Sequence, residues 1–160
     1  MTQQKGDIRS IINASSVIPS NVSNWLKADK EKAGFIQYYN KKQRILVWEF
    51  RPLSNTMGAP GYCHGGFLTS IMDESMGSLA YLNGHIVMSA NLRVKFRDPV
   101  PLNQVYYSIS ELMRKDSKRI QAECRITDRE NKVYASSSGL FIQLPDEMVK
   151  NVVANFERDI

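Results

Sequence analysis

The stretch GGFLTSIMDESMGSLAYL, residues 65–82, is the one long run with helical periodicity, and strand-like runs lie on both sides of it. Projected at about 100° per residue, Leu68, Ile71, Met72, Leu79 and Leu82 gather on one side. Gly66, Thr69, Asp73, Met76, Gly77 and Ala80 gather on the opposite, mostly small side. Asn83-Gly84 supplies a C-terminal stop. Upstream, FIQYYN, the polar turn KKQR and ILVWEF predict a β-hairpin, and RPLSNTMGAPG predicts a loop. Downstream, HIVMSANLRVKFRD, QVYYSISELMRK, KRIQAECRITD and KVYASSSGLFIQL predict four strands; short polar turns join the last three, as in antiparallel hairpins. Strict alternation in the first of these sets Met88, Ala90, Leu92, Val94 and Phe96 on one face. Ser89, Asn91, Arg93, Lys95 and Arg97 then take the other, and Pro99 and Pro101 end the strand.

Two strands, one long helix and four strands predict an α+β fold, an antiparallel sheet packed on one central helix. Such a sheet leaves the small-residue face of the helix uncovered, and pairing with a second copy is the economical way to cover it. The 160 residues suit a single core. The domain is expected at 34–144, after a polar extension at 1–33 and before a weakly helical tail at 145–160. Within the extension, Ile8, Ile11 and Ile12 fit one helical turn, and residues 23–27 begin another after Pro19.

No apolar run is long enough to span a bilayer, and the N-terminus lacks a signal-peptide pattern. Arg9 and scattered serines faintly resemble a mitochondrial presequence, against which Asp7, Asp29 and Glu31 count. A cytoplasmic location is expected, with the mitochondrion as the alternative. Two cysteines make neither a disulfide framework nor a zinc site and fit a reducing compartment. The net charge of +5 suits a polyanion, whether nucleic acid, acidic membrane or a nucleotide-tailed small molecule. The aromatics do not interleave with the basic residues, which disfavours nucleic acid. No phosphate loop occurs, and the glycines at 58–66 lack the strand and acidic partner of a dinucleotide site. No metal or cofactor is expected.

The chemistry centres on CHGG and the acidic pair that follows. A helix N-terminus offers unpaired N–H groups and a positive dipole end. Gly65 and Gly66 there either make a tight turn or let a substrate reach the backbone. Asp73, two turns in, is either a structural partner of a basic residue or a catalytic base or nucleophile. Glu74, about 100° round, falls at the edge or in solvent. Cys63 before a helix N-terminus could be an activated thiol. His64 is adjacent in the chain and points elsewhere, however, and His85 lies beyond the far end of the helix. The comb of Arg93, Lys95 and Arg97 is either a solvated strand face or a phosphate clamp.

Together, HGGFLTSIMDESMG, VMSANLRVKFRDPVPL and YASSSGLFIQL resemble the hotdog-fold acyl-CoA thioesterase superfamily over residues 34–144. The likeness is greatest to its phenylacetyl-CoA-thioesterase-like branch, and there to the mitochondrial long-chain acyl-CoA thioesterases of the carboxy-terminal-modulator type. The resemblance implies hydrolysis of acyl-CoA by homodimers or dimers of dimers, with sites built across the subunit interface. It implies Asp73 as catalytic carboxylate, the N–H groups of Gly65 and Gly66 as oxyanion hole, and His64 as the histidine shaping that site. By the same likeness Ser89 positions the attacking water from the partner subunit, and Arg97, with Lys95 second, holds the coenzyme A phosphates. Many relatives carry an Asn six residues before the motif histidine; here Gly58 stands there, and Asn55 is the nearest substitute. Release of product from an acyl carrier protein and non-catalytic acyl-CoA binding are the alternatives.

Overall fold

The computed structural model describes residues 7–18 and 35–151. In chain order these form α1 (Ile8–Asn13), β1 (Ser16–Ile18), β2 (Ile36–Asn40), β3 (Ile45–Phe50) and a 3-10 turn (Ser54–Thr56). Helix α2 (Gly65–Leu82), β4 (Val87–Phe96), β5 (Tyr106–Asp116), β6 (Arg119–Thr127) and β7 (Val133–Gln143) follow. Residues 146–151 form a last helical segment, α3, where the tail pattern predicted one. The helix expected at 23–27 lies outside the described residues. Seven strands make one sheet in the order β1-β2-β3-β5-β6-β7-β4, every neighbour antiparallel. The α+β architecture is as expected, with β1 as a strand that sequence periodicity did not reveal.

Helix α2 ends as its sequence dictates. Gly84 adopts a φ of +84°, and the N–H groups of Gly84 and His85 return to the carbonyls of Tyr81 and Ala80 at 2.9 and 3.0 Å. This crossed pair is a Schellman stop, which needs a residue that tolerates the left-handed conformation. The sheet buries Phe67, Leu68, Ile71, Met72, Ser75, Met76, Leu79 and Ala80 of this helix. Met76 and Ala80, expected on the open side, are fully buried. The correction is geometric: at about 100° per residue the buried set spans an arc of about 220°, so the sheet curls round the helix. Each large apolar side chain taken out of water there contributes about 1.5–3 kcal/mol. Polar groups in the contact layer pair with one another, Ser75 Oγ with Ser110 Oγ at 2.7 Å and Ser108 Oγ with Cys124 Sγ at 3.1 Å.

The opposite face of the sheet is capped by α1. Ile8 and Ile11 are buried against Val47, Tyr107 and Ile109. Asn131, in the β6–β7 turn, fixes the helix start: its Oδ1 accepts from the Ile8 N–H at 3.0 Å and its Nδ2 donates to Asp7 at 2.8 Å.

Edge strand β4 departs from the expected alternation. Ser89 lies opposite Phe141, but Asn91 lies opposite Leu140, so Ala90 is the extra residue of a β-bulge. The extra residue reverses the phase of everything before it. Ser89 therefore shares the helix-facing side with Leu92, Val94 and Phe96, while Met88 joins Asn91, Arg93 and Lys95 on the outer side.

The tightest helix–sheet approach is at Gly139, where an added Cβ would lie 2.6 Å from the Phe141 ring and 3.1 Å from Met76 Cε. Both neighbours are fully or almost fully buried. Gly139→Ala is expected to lower stability by about 1–3 kcal/mol, read from urea midpoints, and Gly139→Ala with Phe141→Leu should recover part of that loss.

Candidate active site

Helix α2 opens on an unusual cap. The His64 Nδ1 accepts from the Gly66 N–H at 2.9 Å, the role an Asp or Ser side chain more often plays. An accepting Nδ1 places the ring proton of neutral His64 on Nε2. His64 is itself held by its own N–H, which donates to the Thr56 carbonyl at 2.7 Å. Both glycines are approached closely by side chains of this same chain. A Cβ on Gly66 would lie 2.8 Å from His64 Nδ1, and one on Gly65 would lie 3.2 Å from the ring of Phe96. Of the two expected oxyanion donors, the Gly66 N–H is thus bound to His64. The Gly65 N–H makes no hydrogen bond to a described residue.

Gly58 is built into the same entrance. A Cβ there would come within 3.0 Å of His64 Cα and 3.2 Å of its ring, so the loop lies flat against His64. An asparagine side chain at 58 does not fit over His64 in this arrangement. Asn55 sits in the exposed 3-10 turn, one residue before the Thr56 carbonyl that holds His64.

Two turns on, Asp73 is half-buried at the margin of the arc covered by the sheet. Ser89 Oγ donates to its Oδ1 at 2.7 Å, and Oδ2 accepts from no described residue. The bulge at Ala90 is what turns Ser89 to this carboxylate. The contact is within one chain, whereas the resemblance implied a serine supplied by the partner. Glu74 is half-exposed and makes no hydrogen bond or ion pair among the described residues.

Arg97 and Lys95 are both exposed at the end of β4, but Lys95 lies opposite Ser136 on the outer side of the sheet, away from Asp73. Cys63 lacks the setting of an activated thiol. Its thiol is buried and hydrogen-bonded toward Thr56 Oγ1 at 3.8 Å; burial pushes its pKa up to about 11, the hydrogen bond only partly opposing this. His85, the other conceivable base, is at the opposite end of an 18-residue helix about 27 Å long. No cluster of His, Cys, Asp and Glu among the described residues could hold a metal.

The chain is matched among known proteins in sequence and in fold. Residues 60–135 match the thioesterase superfamily. Its fold is the hotdog fold of that superfamily. It is 31% identical to the acyl-coenzyme A thioesterase THEM4 of Rattus norvegicus over 132 residues, 80% of this chain and 57% of the relative. It is likewise 31% identical to the human acyl-coenzyme A thioesterase THEM5 over 111 residues, 69% of this chain and 45% of the relative. The chain thus spans about half the length of the curated relatives it matches. Among solved structures, the PaaI protein from the phenylacetic acid degradation operon of E. coli superimposes with a TM-score of 0.66 at 15% identity, over 76% of this chain and 86% of that one. A Streptococcus mutans protein bound to acetyl-CoA does so with a TM-score of 0.64 at 9% identity, over 71% and 89% of the two chains.

Sequence reasoning missed Phe96 as a wall of the helix entrance, because alternation gives its face but not its neighbour. It also missed the cap made by His64, a residue type with a weak capping preference.

Two outcomes follow from this geometry. At pH 7–8 the protonated Cys63 thiol should resist iodoacetamide, with Cys63→Ala keeping most of whatever hydrolytic activity the native chain has; rapid inactivation by alkylation would contradict it. His64→Ala should cost about 1 kcal/mol of stability as a lost cap. Gly66→Ala, which evicts the same ring, should add little to it in a double-mutant cycle.

Proposed function

We propose that this chain hydrolyses acyl-CoA thioesters to free acid and CoA, and that two copies are needed to build each site. The observation that carries the reading is Asp73, held by Ser89 of β4, on the same helix as the Gly65 N–H, which has no partner among the described residues. The Ser89 hydroxyl holds one carboxylate oxygen and leaves the other to take a proton from water. That water's oxygen attacks the thioester carbon, the carbonyl oxygen gains charge, and the C–S bond then breaks with the proton passing to the departing thiolate. The Gly65 N–H, at the positive end of α2, is the donor for the developing oxyanion.

One chain does not bring these groups to one carbonyl. Gly65 and Asp73 are eight positions apart, about 12 Å along the helix axis. A nucleophile and an oxyanion donor each sit about 3 Å from the reacting group. Asp73 of one copy and Gly65 of another meet that condition if two α2 helices lie antiparallel. Edge strand β4, ten residues long and largely exposed, offers the unpaired backbone edge through which a second sheet can add. Arg97, exposed where β4 leaves the site, is then the nearest cation for the CoA phosphates, with Lys95 behind it. The names of the relatives support CoA over a carrier protein as the leaving group.

A panel of acyl-CoA esters of graded chain length, followed by thiol release, tests the activity. Asp73→Asn should lower kcat/KM by about 10²–10⁴-fold and Ser89→Ala by about tenfold or more, with native thermal unfolding. Full activity in Asp73→Asn would overturn the mechanism, and faster turnover of carrier-bound than CoA-bound esters would overturn the substrate. Sedimentation should give two copies or a multiple of two. A monomer with full activity would overturn the shared site.

A further inference from the structure

The end of the molecule farthest from the helix entrance carries a concentration of charge that the hydrolase reading does not use. Seven of the sixteen Lys and Arg side chains in the described residues occur in two hairpin turns. Lys41, Lys42 and Arg44 are in the β2–β3 turn; Arg114, Lys115, Lys118 and Arg119 are at the β5–β6 turn. All seven are exposed, and none makes an ion pair among the described residues.

The strand register puts both turns at the C-terminal end of α2. Ile45 pairs with Glu111, so β5 runs on past the β2–β3 turn to its own. Val87 pairs with Gln143, whose N–H in turn donates to the Lys118 carbonyl at 2.8 Å. His85, just after the helix, lies among these cations: burial first, then the charges of Lys115 and Arg44, lower its pKa, against a raising contribution from Gln143. Five acidic groups lie nearby. Glu111 is bound to Arg125, Glu123 lies across from it on β6, Asp116 is within the turn, and Asp146 and Glu147 follow β7.

We infer that this end is a docking surface for an anionic lipid bilayer. The seven cations are spread over two separate hairpins rather than around a cavity. A concavity of about 260 Å³ is on the outer sheet face among Asn91, Arg93, Gln121 and Leu140, and none of the seven cations lines it. A small polyanion would therefore be left unenclosed, whereas a broad charged surface meets both turns at once. Neither turn holds an aromatic side chain on which bases could stack, the usual companion of basic residues in single-stranded nucleic acid sites. Met113 beside Arg114 and Tyr81 in the last turn of α2 are 55% and 61% exposed. They are the side-chain types that enter the interfacial layer once charge has brought the surface close. No described helix is long and apolar enough to cross a membrane, so the attachment is peripheral. Within one chain the turns lie about a helix length, 27 Å, from the Gly65 N–H.

The test is co-sedimentation of the full chain with vesicles of phosphatidylcholine alone or with about one third phosphatidylserine, with no substrate present. Binding is expected only to the anionic vesicles and should weaken steeply as salt rises. Lys41→Glu/Lys42→Glu and Lys115→Glu/Lys118→Glu should each weaken it by about tenfold or more. Neither should change thermal unfolding or turnover of a soluble acyl-CoA. The inference is overturned by absent or charge-independent vesicle binding, by equal binding of the reversed variants, or by displacement with equimolar CoA. Tighter binding to single-stranded RNA than to the vesicles at the same salt would also overturn it.

Discussion

The curl of the sheet around α2 is the constraint from which the rest of the structure follows. A flat sheet would bury one stripe of that helix and leave Met76 and Ala80 in water. The curled one buries more than half the helix circumference and brings β4, the last strand in the sheet order, up to its flank. Close helix–sheet contact is affordable only where a strand lacks a side chain, and Gly139 supplies that between Met76 and Phe141. The arc left uncovered then begins at Asp73. The carboxylate is neither in the core nor fully in solvent, and a hydroxyl on the adjacent strand edge can reach it.

The glycines at the helix entrance are packed closely against side chains of the same chain. Each missing Cβ is used within the chain, Gly66 by the His64 ring, Gly65 by Phe96, and Gly58 again by His64. These contacts fix the loop and the first helical turn before any ligand arrives, which is what preorganised donors require. They also make the two N–H groups unequal, since one is bonded to an imidazole and the other has no partner among the described residues.

How far the sequence spoke for itself can be judged residue by residue. The bounds of α2 were legible because Gly84 and the change of periodicity at His85 are local signals, and the hairpins were legible for the same reason. The width of the buried arc was not, because a helical wheel carries no information about the curvature of its partner. Nor was the inward turn of Ser89. Alternation placed it with Arg93, and only the extra residue at Ala90, a matter of register with β7, reverses it. The resemblance had singled out Ser89 without a reason for its direction, and the bulge supplies one. The burial of α1 on the far face was equally hidden, because its anchor, Asn131, is 123 positions away along the chain.

Strand β4 joins chemistry and assembly in one element. Its inner side carries Ser89 to Asp73 and Phe96 to Gly65; its outer side carries Arg93 and Lys95, charges of the kind that keep an exposed edge from indiscriminate pairing. A strand that holds the Ser89 hydroxyl 2.7 Å from Asp73 cannot also be a freely slipping edge. The bulge at Ala90 pins its register against β7, and any second copy adding along its free side inherits that register. The separation of Gly65 and Asp73 along α2 then becomes a design consequence rather than a defect. In the proposed dimer, a twofold axis would place each entrance beside the other's carboxylate, so that a single strand register would set both the assembly and the distance between Gly65 of one copy and Asp73 of the other.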